Sequence, residues 1–135
     1  MNLRLDFEKR YPHPPDKVWR ALVSSDALAK WLMPNDFQPE LGRVFRFTYP
    51  RADCAQEDGT VLVEIEQLDP PDRMVWLWRN SDLGETTRVT FTLEAVDDGT
   101  LLRLSHTEIP TAQEATSLRG GWPGKLESLA DVLDR

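Results

Sequence analysis

Few residues in this chain have the types and spacing to do chemistry, and His106 is the first of them. It follows Leu102 and Leu104 at intervals of two, so a strand would turn all three to one face. A histidine on an apolar strand face is either satisfied by a hydrogen bond in the core, directed into a ligand cavity, or used as an acid/base. The other histidine, His13, sits in the run Tyr11-Pro12-His13-Pro14-Pro15, far away in sequence. With two separated histidines and one cysteine, Cys54, no zinc or iron ligand spacing occurs. Neither a metal nor a cofactor is expected. Cys54 lies in the polar stretch Arg51-Ala52-Asp53-Cys54-Ala55-Gln56 and reads as a surface thiol. A single cysteine excludes an intrachain disulfide and fits a reducing compartment. Glu64 and Glu66 share a strand face, but it is the face opposite Val61, Val63 and Ile65. A solvated surface is therefore expected there rather than a general acid/base pair. The acidic residues Asp53, Glu57 and Asp58 read the same way. No Gly-x-Ser-x-Gly, phosphate loop or dinucleotide fingerprint is present, so no assembled catalytic site is expected.

Aromatic residues carry a stronger signal. The chain has five tryptophans. Trp19 falls on the apolar side of an early helix and reads as core. Trp76 and Trp78 share one strand face, as wall packing. Trp31 ends a short helix and Trp122 sits among Gly120, Gly121 and Pro123, places where an indole could line a cavity mouth. Phe45, Phe47 and Tyr49 form a row that could continue such a wall, with the Tyr49 hydroxyl as a polar anchor. Indole joins a large apolar area to one N–H donor, which suits a planar, partly polar ligand. The candidate ligand-binding set is therefore Trp31, Phe45, Phe47, Tyr49, Trp76, Trp78, His106 and Trp122, with plain core packing as the competing use.

The elements that must position these residues are legible. Leu3, Leu5, Phe7 and Tyr11 alternate with charged residues as in a half-buried strand. Pro12, Pro14 and Pro15 stop it, because proline cannot donate to a ladder. A helix then starts on Pro14 or Pro15 with Asp16 in its first turn and Val18, Trp19, Leu22 and Val23 as its apolar stripe. Ser25 or Asp26 is the expected cap of a second short helix through Trp31 and Leu32, with Pro34 beyond its end. Strands follow in series: Phe45 to Tyr49, Val61 to Ile65, Met74 to Trp78, Val89 to Ala95 and, after the turn Asp97-Asp98-Gly99, Leu102 to His106. Short turns between them predict antiparallel meander pairing with one face buried. Ala115, Leu118, Trp122, Leu126, Leu129 and Leu133 predict a C-terminal helix opened by Thr111 and Glu114. Gly120, Gly121, Pro123 and Gly124 predict a kink or restart near Trp122.

The 135 residues, 40% hydrophobic and 29% charged, read as one domain over residues 1–135. A formal charge of −7 argues against nucleic acid or an anionic membrane as partner. The charged N-terminus does not resemble a signal peptide, and no 18-residue apolar stretch occurs. A cytoplasmic location is expected.

The order strand, two short helices, antiparallel strands, long C-terminal helix predicts an α+β helix-grip fold. Here the chain resembles the START-like (SRPBCC) superfamily, in the branch related to the C-terminal domain of the Hsp90 ATPase activator Aha1. The resemblance is carried by Lys17-Val18-Trp19-Arg20-Ala21-Leu22, Trp31-Leu32-Met33-Pro34, Asp98-Gly99-Thr100 before Leu102, Leu104, Ser105 and His106, and Gly121-Trp122 before Leu126 and Leu129. Two departures are Leu41-Gly42, where the family often has Gly-Gly, and Pro123 inside the helix pattern. The resemblance implies a curved sheet wrapped around the long helix, often with a cavity for an apolar ligand between them. It does not select a function. The leading expectation is a non-enzymatic binding module for a small hydrophobic or aromatic molecule. One alternative is a protein-interaction role as a co-chaperone on an Hsp90-type chaperone, although 135 residues leave no room for the eukaryotic activator's separate N-terminal domain. Another is a cyclase- or hydrolase-like enzyme using His106 and Tyr49 as acid and base. A homodimer through a sheet edge or exposed helix is compatible with each.

Overall fold

The computed structural model describes residues 2–49, 59–80 and 85–135; Cys54, Asp53, Glu57 and Asp58 lie outside them. Strand β1 (Leu3–Tyr11) leads through α1 (Pro15–Val23) and α2 (Ser25–Trp31) to β2 (Val44–Tyr49). Then come β3 (Gly59–Asp69), β4 (Arg73–Asn80), β5 (Thr86–Val96), β6 (Gly99–Ile109) and α3 (Ala112–Leu133). The six strands form one sheet in the order β1-β6-β5-β4-β3-β2, every neighbouring pair antiparallel. β2 to β6 is the expected meander. β1 joins at β6 because α1 and α2 carry the chain across to the opposite edge. The architecture is an α+β helix-grip fold, a curved open sheet closed on its inner face by α3.

Period-2 alternation decides which face is inner. Phe45, Phe47, Val61, Val63, Ile65, Trp76, Trp78, Val89, Phe91, Leu102 and Leu104 are buried and pack with Trp122, Leu126, Leu129 and Leu133 of α3. The opposite face carries ion pairs. Arg88 bridges Glu66 and Glu108, and Arg103 bridges Glu8 and Glu94. Glu66 is thus a surface ion-pair residue. Ala95, at the far end of β5, is exposed rather than inward.

Two local expectations are corrected. α2 is capped by Ser24, whose Oγ accepts from the Ala27 N–H at 3.3 Å, and not by Ser25 or Asp26. Ser25 instead donates its hydroxyl to Asn35 Oδ1 at 2.8 Å, holding the chain after α2. α3 shows no restart near Trp122, being continuous from Ala112 to Leu133 with Pro123 inside it. Tertiary packing overrides the weak propensity of Gly120, Gly121, Pro123 and Gly124. Trp122, 2% exposed, sits inside the sheet's concave face, and the Tyr11 hydroxyl donates to the Leu126 carbonyl at 2.9 Å, fixing the next turn to β1. Thr111 caps α3 as expected, its Oγ1 accepting from the Glu114 N–H at 3.1 Å.

Candidate functional site

Three adjacent strands and α3 converge on His106. In the ladders Trp78 lies opposite Thr87, and Val89 lies opposite His106, which puts Trp78, Thr87 and His106 on the inner face within reach of one another. The His106 ring is fully buried. Its Nδ1 is 3.0 Å from Trp122 Nε1, and its Nε2 is 2.6 Å from Thr87 Oγ1, which is 3.1 Å from the Trp78 carbonyl.

The chemistry of the end groups fixes every proton in this chain. An indole N–H only donates, so His106 Nδ1 is the acceptor. A carbonyl only accepts, so the Thr87 hydroxyl donates to Trp78, and His106 Nε2–H donates to Thr87. The imidazole is neutral with both nitrogens engaged, and burial pulls its pKa down to about 4. In this arrangement His106 has no lone pair or proton to offer a substrate. Protonation would set an Nδ1–H against the Trp122 N–H.

A cavity of about 210 Å³ adjoins this network, between β2, β3 and β4 on one side and α3 on the other. Met33, Val61, Trp78, Leu118 and Trp122 supply its apolar wall; Tyr49, Asn80, Ser117, Gly121 and Lys125 complete the lining. The Trp78 and Trp122 rings lie 5.5 Å apart and screen His106 from the space. A larger hollow on the outer face, about 500 Å³ beside Asp6, Glu8 and Arg103, is framed by charged side chains on exposed strand positions.

Tyr49 owes its position to Gly59. The two are cross-strand partners, and a β-carbon on Gly59 would stand 2.1 Å from Tyr49 Cζ. The ring crosses the strand there, and its hydroxyl donates to Asn80 Oδ1 at 2.9 Å. Gly121 serves by leaving space: a β-carbon on it would meet nothing within 4 Å. Lys125 follows one turn later on the same helix face. It is half-buried, has no ion-pair or hydrogen-bond partner among the described residues, and burial lowers its pKa.

Of the residues singled out in the sequence, Tyr49, Trp78 and Trp122 line the cavity, and His106 lies behind the two indoles. Trp31 does not line it. Its Nε1–H donates to the Ala21 carbonyl at 2.9 Å, which ties α2 to α1 inside the core. Phe45, Phe47 and Trp76 also lie off the cavity, packed in tilted and edge-on contacts with Phe37 and Phe91 at centroid distances from 4.7 to 6.1 Å. The Trp76 N–H, buried among these rings, has no hydrogen-bond partner among the described residues. Sequence reasoning missed Thr87, Asn80, Gly121 and Lys125. Thr87 had a signal, a hydroxyl in register with Val89, Phe91 and Leu93 on a buried face.

Among the described residues, no group of three or more His, Cys, Asp or Glu could hold a metal ion, and no helix is long and apolar enough to cross a membrane. Protein MLL2253 from Mesorhizobium loti is 29% identical, with a TM-score of 0.87 and 98% of each chain covered. DynU16, a protein of the dynemicin biosynthetic locus, is 22% identical with a TM-score of 0.83, covering 97% of this chain and 47% of that one. The Aha1 dimer of Colwellia psychrerythraea is 21% identical with a TM-score of 0.78, covering 97% of this chain and 96% of that one. No curated protein matches the chain.

A curved antiparallel sheet gripping a long C-terminal helix, with a hollow between them, defines the START-like class. Residues 12–134 match the family described as Activator of Hsp90 ATPase homolog 1-like protein, and the chain belongs to that family.

Proposed function

We propose that this chain is a binding module for a small, largely apolar aromatic molecule, taken up between β2–β4 and α3. The observation that carries this reading is the cavity of about 210 Å³ beside Trp78 and Trp122, between the sheet and α3. An apolar cavity of about 150 Å³ accepts benzene, so this one suits a molecule about one ring larger, below the roughly 300 Å³ at which drug-sized ligand sites begin. Two indoles in the wall favour a planar guest, and Tyr49, Asn80 and Ser117 add polar groups to the lining. The saturated His106 network argues for binding over acid/base turnover, since its imidazole is already committed. DynU16, of similar fold, comes from a biosynthetic locus, which is in keeping with a small-molecule ligand.

The test uses 2-naphthamide, a neutral bicyclic probe, titrated calorimetrically into the protein and into Gly121→Leu. The new side chain grows into open space at the cavity and removes a helical glycine, which favours the helix by up to about 1 kcal/mol. Binding to the original protein and a tenfold or larger loss in the variant, at an unchanged or raised melting temperature, are expected. No binding to the original protein, or equal binding to both, refutes the reading.

Family membership favours a second reading, contact with an Hsp90-class chaperone. It predicts a change in the chaperone's ATPase rate on addition of this protein, and an unchanged rate removes it. The similar fold of a dimeric Aha1 makes a homodimer worth measuring by light scattering in the same samples.

A further inference from the structure

Resting on that reading, we propose that the guest of the cavity is an anion, an aromatic carboxylate whose ring lies against the wall formed by Trp78 and Trp122 and whose charge is held by Lys125. Among the described residues Lys125 is the charged member of the lining; the other described lining groups are apolar or neutral polar. Its isolation sets it apart from the basic residues that pair elsewhere. Lys9 meets Glu127 at 2.6 Å, and Arg4, Arg43, Arg88 and Arg103 each hold a carboxylate. An ammonium withdrawn from water without a counter-charge is unfavourable, and a bound anion supplies the missing partner. Burial disfavours its charged form, with no acidic neighbour among the described residues opposing that effect.

The geometry also selects the kind of anion. One ammonium matches a monoanion. Among the described residues the site has no arginine fork to hold a dianionic phosphate bidentately, and its wall is aromatic. The protein's charge of −7 opposes any anion at long range, so a preference for anions here would have to originate locally, at Lys125.

The experiment compares 2-naphthoate with its neutral isostere 2-naphthamide by calorimetry, in the original protein and in Lys125→Met, which keeps an unbranched apolar stem. In the original protein naphthoate binds about tenfold or more tighter than the amide, the scale of one charge-assisted hydrogen bond. In Lys125→Met this preference disappears while the amide affinity stays within about threefold. If the amide binds but naphthoate binds no tighter, or the preference survives in Lys125→Met, the carboxylate assignment is overturned and the cavity reading stands. If neither probe binds, the cavity reading falls and takes this inference with it.

Discussion

Lowering the pH should remove stability through His106, and replacing that residue by glutamine should remove the effect. A neutral buried imidazole has a pKa of about 4, whereas the exposed ring of the unfolded chain has 6.5. Between these values the unfolded state holds more protons, so stability is complete above pH 6.5 and falls as the pH drops towards 4. The gap of roughly 2.5, at about 1.4 kcal/mol for each pH unit, sets a ceiling of about 3.5 kcal/mol. About 2 kcal/mol of it is lost by pH 5. For a fold whose net stability is of order 5–15 kcal/mol, this is a large fraction. Urea unfolding followed by tryptophan emission at pH 7, 6, 5 and 4.5 reads the effect directly. His106→Gln is less stable at pH 7, but the difference between the two proteins should shrink by about 2 kcal/mol on going to pH 5. His13 and the carboxylates are common to both and cancel in the difference. Parallel pH profiles, or a His106 imidazole resonance, assigned by its loss in His106→Gln, titrating near 6.5 in the folded protein, would refute the reasoning.

Two further substitutions probe the same region. Trp122→Phe keeps an aromatic ring but deletes the donor to His106 Nδ1, leaving a buried acceptor unpaired; a loss of about 1–3 kcal/mol is expected in the same unfolding assay at pH 7. Gly59→Ala drives a methyl group into the Tyr49 ring, so Tyr49 must leave Asn80. A lower melting temperature and an altered 2-naphthamide affinity are expected together, and an unchanged Tyr49 environment by NMR would contradict the packing described.

Periodicity made the inner face readable before any contact was known. The intervals of two in Phe45-Phe47-Tyr49, Val61-Val63-Ile65 and Leu102-Leu104-His106 depend on strand geometry alone, which is local. The α3 stripe was legible for the same reason. What failed locally was the break expected at Trp122. Glycine and proline weaken a helix by small amounts, and burying Trp122, Leu126 and Leu129 against the sheet outweighs them. The caps show a similar limit: Ser24, Ser25 and Asp26 adjoin one another, and only the backbone path selects Ser24.

The role of each aromatic residue was not readable from spacing. Trp31 and Trp122 looked alike in sequence, each near a helix irregularity, yet Trp31 spends its N–H on Ala21 within the helical layer and Trp122 spends its own on His106 across the cavity wall. His106 could be read as core, ligand or acid/base until Thr87 and Trp122 took up its two nitrogens. Lys125 gave no signal at all, because a lysine on a helix is ordinary and its lack of a partner exists only in three dimensions. The sequence by itself determined the elements and the buried face, which follow from local spacing, and pointed to the family through the resemblance of its motifs. Tertiary structure alone decided which side chains meet: α3 brings residues from opposite ends of the chain to one place, leaving an open space beside Lys125 and a closed hydrogen-bond chain at His106.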